Sequence, residues 1–155
     1  MHQPVRKSIR LPRDAYREPG FTWLVTIVTA DRQPRFTNLS LGGAVLALFL
    51  DDAPNRGLDL HLACLMPDHG HLLVSLTVGD LVAAIGALKS RSTKVFRGFG
   101  FEGALWQRSF HDQGIRGAPA FHEVVQYVLC NPVVAGLSKT WEEYDLIAGS
   151  WVGRS

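Results

Sequence analysis

The order of elements expected along this chain is β-α-β-β-α-β followed by a helix, which specifies an α+β fold of the ferredoxin-like, split βαβ kind. Two observations lead there. Short β-branched and aromatic runs alternate with longer apolar stretches that open on helix-capping residues. Two of the runs are also separated by a Pro-Asp-His-Gly turn, so they form an antiparallel pair. Such a fold has an antiparallel sheet with helices on one face, leaving the other face as a working surface.

The elements follow in order. Residues 1–20 lack an apolar period and are punctuated by Pro4, Pro12, Pro19 and Gly20, so they are expected as a basic N-terminal arm ahead of a single domain over 21–155. FTWLVTIVTA, residues 21–30, reads as a buried strand. NLSLGGAVLALFLDD reads as a helix capped by Asn38 or Ser40. LDLHLACLM is the second strand and HLLVSLTV, residues 71–78, the third. Asp80 caps a second helix, LVAAIGALKSRSTKVF, and FHDQGIR reads as a short fourth strand. A last helix, AFHEVVQYVLC, is expected to stop at Asn131-Pro132, because proline disfavours helix at the residue before it. The tail from Leu137 reads as loop.

Composition excludes several classes. The formal charge of +2 is too small to argue for nucleic acid by itself. Cys64 and Cys130 have neither CxxC nor zinc spacing and read as reduced packing residues. The N-terminus has no apolar signal segment, and the longest apolar run, LGGAVLALFL, is about half of what spans a bilayer. A cytoplasmic protein with no membrane partner is expected.

MPDHGHLLV places His69 and His71 two residues apart, so on a strand they project to one side. Two converging imidazoles are a metal-ligand arrangement, and polar residues on an exposed sheet face are the alternative. On the last helix, Phe121, Val124, Val125, Val128 and Leu129 form an apolar stripe. Tyr127 falls roughly 130° from its centre at about 100° per residue. The tyrosine therefore looks set aside from packing, and Asn131 shares its ridge four residues on. Basic residues cluster twice: Arg6, Lys7 and Arg10 in the arm, and Lys89, Arg91, Lys94 and Arg97 on the second helix, with Arg108 a further candidate. Trp106 reads as core, with base stacking the alternative.

Four stretches, RKSIRLP with the following AYREPGFTWLVTIVT, then ACLMPDHGHLLV, GALWQRSFHDQGIR and VVQYVLCNPVVAGL, together resemble the single-tyrosine transposases of the HUH superfamily. The resemblance is greatest to their REP-associated tyrosine transposase branch. It implies that His69 and His71 are paired metal ligands, Tyr127 the nucleophile and Asn131 a third polar ligand. It also implies Mg²⁺ or Mn²⁺ as cofactor and single-stranded or hairpin DNA as partner. DNA would be held by Arg6, Lys7, Arg10, Lys89, Arg91 and Arg108. A homodimer in which Tyr127 acts in trans is a further possibility it raises. The implied activity is nicking and joining of single-stranded DNA through a 5′-phosphotyrosine. A catalytically inactive binding module and a phosphoesterase using water are the rival readings. The chain departs from the family pattern at Gly70, where a bulkier apolar residue is usual, at Gln113, where histidine is common, and at His111, where an aromatic is common.

Overall fold

A computed structural model describes residues 11–154. Strand β1 (Thr22–Val28) leads to helix α1 (Leu39–Asp52), then β2 (Leu58–Met66), β3 (His69–Leu76), helix α2 (Leu81–Gly98), β4 (His111–Ile115), helix α3 (Ala118–Val134) and β5 (Ile147–Ala148). The strands form one antiparallel sheet in the order β4-β1-β3-β2-β5. This is the expected α+β architecture with one strand added. The two-residue β5 lies in the tail expected as loop, too short to show a period, and it pairs with Ala63 and Cys64 of β2.

The caps expected for the first two helices are in place. Asn38 Oδ1 accepts from the Leu41 N–H at 3.1 Å, and Asp80 Oδ1 accepts from the Ala83 N–H at 3.1 Å. The third helix runs longer than expected. Pro132 lies inside α3, where its ring removes only one backbone donor near the end. The stop comes at Gly136 (φ 77°): its N–H bonds to the Val133 carbonyl, and the Leu137 N–H bonds to the Pro132 carbonyl at 2.8 Å. This is the glycine-terminated helix end that a left-handed residue permits.

Alternation along the strands builds two cores. Trp23, Val25, Ile27, Ala63, Leu65, Leu72 and Val74 turn to the face that also buries Leu41, Val45 and Phe49 of α1 and Ile85 and Leu88 of α2. Leu24, Leu62, Cys64, Met66, Leu73 and Ile115 turn to the other face. That face was expected to be free, and instead α3 covers part of it with Val124, Val125, Val128 and Leu129. A bulge between Leu60 and Leu62 changes the alternation of β2 partway along, which lets one strand feed both cores.

Residues 11–20, expected as exposed arm, are partly built into the domain. Tyr16 is buried, stacks on Trp23 with ring centroids 4.7 Å apart, and donates its hydroxyl to Asp112 Oδ1 at 3.0 Å. Arg6, Lys7 and Arg10 lie outside the described residues. Among the described residues, no helix is long and apolar enough to cross a membrane.

The end of α1 is pinned by Asp52, whose carboxylate takes Arg56 Nε at 2.9 Å and Arg91 Nε at 3.3 Å. Burial works against the charge, but the hydrogen bonds from Arg56 and Asn55 and the two guanidinium charges outweigh it and hold the carboxyl below its usual range. A folded-state value below the unfolded one of about 3.9 stabilises the fold above that pH and is lost as pH falls through the folded value. Asp52→Asn is therefore expected to cost about 1–3 kcal/mol at neutral pH. In urea denaturation, the gap from wild type should narrow as pH falls below about 4.

Candidate active site

The β2–β3 connection is tighter than the expected four-residue turn. Met66 and His69 are register partners, so only Pro67 and Asp68 lie between the strands. His69 thus opens β3, and both histidines sit on one strand two residues apart. Their rings lie edge to face with centroids 4.9 Å apart. His71 is buried, and its Nδ1 lies 3.0 Å from Thr26 Oγ1 on the neighbouring strand, where Thr26 is its register partner. His69 is more open, its side chain 23% exposed, and its Nδ1 lies 2.8 Å from Asp68 Oδ1.

Tyr127 comes to the same place from α3. Its ring centroid is 5.5 Å from that of His71. The expectation that it stands clear of packing is corrected: Tyr127 is 8% exposed and belongs to the core beneath α3. The helix touches the 141–143 turn as well as β2, which widens the arc it buries beyond the single apolar stripe. The tyrosine and the histidines of one chain thus lie together. Asn131 lies one turn further along α3, half-buried, while Glu123, one turn earlier, is exposed.

Cys64, the register partner of His71 on β2, lines the same face. Burial pushes its thiol up to about 12, so it remains protonated and packs as an apolar side chain. Gly70 turns to the opposite face, where an added Cβ would come 2.8 Å from Leu65 Cδ2. Leu65 fills the room that a larger residue would need, so the departure at Gly70 does not loosen the turn. Among the described residues, no group of three or more His, Cys, Asp or Glu side chains gathers where a metal ion would sit.

Around the turn the backbone is strained. Asp31 (φ 54°) and Arg32 (φ 50°) are consecutive non-glycine residues in the left-handed region, a conformation costing roughly 1–2 kcal/mol each. Thr29, fully buried, donates its N–H to the Asp68 carbonyl at 3.0 Å, and its hydroxyl lies 2.8 Å from the Gln33 carbonyl and 3.0 Å from that of Asp68. Arg32 Nη1 lies 3.3 Å from Asp68 Oδ2. Burial opposes the charge on Asp68, but the hydrogen bond from His69 and the charge and hydrogen bond of Arg32 hold its carboxyl below the usual range. Sequence reasoning missed Thr26, Cys64, Asp68 and Arg32. Only Asp68, inside MPDHGHLLV, had a local signal.

The basic candidates divide. Lys89 is corrected: its ammonium donates to the carbonyls of Gln107, Arg108 and Ser109 at 2.7, 3.1 and 3.1 Å, so all three donors are engaged inside the protein. Burial lowers its pKa. Arg91, half exposed, is tied to Asp52, and α2 packs on the sheet face opposite the histidines. Arg108 is exposed and follows Gln107, whose N–H bonds to the carbonyl of Val28, the register partner of His69. It therefore lies at the end of the sheet that carries the site. Trp106 is buried, as expected, and donates Nε1–H to Ser92 Oγ at 2.8 Å.

The split-βαβ sheet thus brings two histidines of one strand beside a tyrosine of the helix that follows. The model of the IS200-like transposase family matches residues 22–130, well over half of the chain, and the protein belongs to that family. Two solved structures share the fold. One is a REP-associated tyrosine transposase bound to a REP hairpin, 22% identical, covering 95% of this chain and 82% of that one with a TM-score of 0.67. The other is a protein of Deinococcus radiodurans R1 described provisionally as a transposase, 20% identical, covering 82% of this chain and 95% of that one with a TM-score of 0.55. A comparison with curated proteins gives no match.

Replacing Lys89 by methionine keeps the stem and removes the three donors. The expected result is a loss of about 1–3 kcal/mol in urea denaturation, with DNA affinity per folded molecule unchanged. A loss of affinity at unchanged stability would return Lys89 to the DNA-binding set.

Proposed function

We propose that this transposase nicks and rejoins single-stranded DNA at a hairpin through a covalent 5′-phosphotyrosine on Tyr127, with Mg²⁺ or Mn²⁺ held by His69 and His71. The observation that supports it most is the grouping of three rings, His69 to His71 at 4.9 Å and His71 to Tyr127 at 5.5 Å. Hairpin DNA as substrate is supported by the fold shared with the hairpin-bound neighbour. The reading implies a protein working in the cytoplasm on chromosomal DNA.

The donor set fits a divalent ion. Each ring has Nδ1 at hydrogen-bond distance from an oxygen, Thr26 Oγ1 for His71 and Asp68 Oδ1 for His69, so Nε2 is the nitrogen each offers. The Asn131 amide would add a hard oxygen, and mixed nitrogen and oxygen ligation suits manganese better than magnesium. When bound, the ion polarises a phosphoryl oxygen and offsets the charge that develops there.

The residues do the rest. Packing beneath α3 fixes the Tyr127 ring, so the phenol oxygen meets the phosphodiester in one orientation. The phenol oxygen forms the bond to phosphorus and loses its proton to solvent, while the bond from phosphorus to the 3′ oxygen breaks and that oxygen takes up a proton. The products are a 5′-phosphate joined to Tyr127 and a free 3′-hydroxyl. Attack by a second 3′-hydroxyl reverses the sequence and joins strands without a nucleotide cofactor. Arg108 lies where it can meet the backbone near the site, and Arg6, Lys7 and Arg10 of the N-terminal segment are proposed to hold DNA beside the hairpin.

Incubation with a labelled hairpin oligonucleotide and Mn²⁺, followed by denaturation, should give a shifted, protease-sensitive band. Tyr127→Phe removes one hydroxyl and should abolish the band while DNA binding persists. An adduct in the mutant would assign another nucleophile, and cleavage by wild type without any adduct would assign water. Calorimetric Mn²⁺ titration with the oligonucleotide present should lose most of its heat in the His69→Ala, His71→Ala double mutant. Unchanged heat would move the metal elsewhere.

A further inference from the structure

We infer that Asp68 is the positioning residue of the site: its carboxylate, held by Arg32, grips Nδ1 of His69 and so aims Nε2 at the metal. This rests on the metal-assisted reading above.

The two histidines differ in what holds them. His71 is 2% exposed and is packed between the strands beneath α3. His69 stands at the first position of β3 with its side chain 23% exposed, so packing alone leaves its ring free to turn. Asp68 supplies the missing constraint. One carboxylate oxygen lies 2.8 Å from His69 Nδ1 and the other 3.3 Å from Arg32 Nη1. The main chain of Asp68 is fixed independently, because its carbonyl takes the N–H of the buried Thr29 at 3.0 Å. A carboxylate fixed at both ends defines where an Nδ1–H can point. It thereby selects the tautomer with the lone pair on Nε2 and strengthens that nitrogen as a donor.

Arg32 carries the second, independent observation. With Asp31 it occupies a backbone region that favours glycine. That backbone conformation delivers the guanidinium to Asp68, which it meets at 3.3 Å. Asp68 does not act as a ligand in this arrangement. Its oxygens lie at the Nδ1 edge of the ring, away from Nε2, and both are engaged.

The tautomer gives a readout free of metal. ¹⁵N NMR of metal-free protein labelled at histidine should show His69 with Nδ1 protonated and Nε2 bare. Asp68→Ala should shift His69 toward the opposite tautomer while leaving His71 unchanged, a change that loss of a metal ligand would not produce. Mn²⁺ affinity measured by EPR should fall by about 10–100-fold in Asp68→Ala. Asp68→Asn keeps an oxygen acceptor for Nδ1–H, so it should retain the tautomer and most of the affinity. Arg32→Ala should weaken Mn²⁺ by only about 2–5-fold, because that side chain is 61% exposed. Thermal melting of each variant separates these effects from unfolding. The inference is overturned if Asp68→Ala keeps the wild-type tautomer, or if Asn and Ala prove equivalent in both measures. Absence of any Mn²⁺ binding by wild type would sink the metal-assisted reading instead, and the tautomer would still decide the role of Asp68.

Discussion

The closure of β2 onto β3 through Pro67 and Asp68 alone is the constraint on which the site depends. With Met66 opposite His69, the register of the hairpin is set at its tip. In β-structure a slip of one residue would turn every side chain to the other face. β3 is also flanked by β1, where Thr26 faces His71 and Val28 faces His69. Two ladders therefore agree on one register, and that agreement puts both imidazoles on the α3 side.

The division of labour between the faces follows. The face beneath α1 and α2 is a conventional apolar core, and it gives the sheet the rigidity that a preorganised site requires. The face beneath α3 is mixed. Apolar residues seat the helix, and the same seating carries Tyr127 to His71. Cover and tyrosine are one element, so the position of the phenol is decided by van der Waals packing over several residues. The basic side chains obey the same geography. Lys89 and Arg91 of α2 lie behind the sheet, Lys89 holding the 107–109 segment and Arg91 the end of α1.

Much of this was legible in the sequence. The element order, both side-chain caps, the histidine pair and the tyrosine with its asparagine were read from local patterns: alternation, capping residues and spacing. What was not legible depends on contacts between distant segments. The strand β5 is two residues long and exists because β2 offers it an edge. The burial of Tyr127 could not be inferred from its angle on a wheel, because a helix that touches a sheet and a neighbouring turn buries a wider arc than its most apolar stripe suggests. Lys89 has acceptors 18 to 20 residues away, with no mark in the local sequence. Pro132 was read as a stop where Gly136 is the one that operates. A proline near the end of a helix removes little, whereas a left-handed glycine ends it.

The bulge at His61 makes β2 a strand of two parities. Before it, Leu58 and Leu60 belong to the core beneath α1 and α2; after it, Cys64 and Met66 belong to the α3 side, and Ala63 and Leu65 continue the first core. The extra residue acts as a half-turn in the count. With the same residues in unbroken alternation, the even-numbered residues that begin in the core would remain there to the tip, and Ala63 and Leu65 would stand beside His71 in place of Cys64 and Met66. The length of this strand is therefore a coded quantity. Deleting His61 would leave a regular strand with every other side chain on its present face, whereas straightening the bulge with His61 retained would exchange the two surfaces of the second half of the strand.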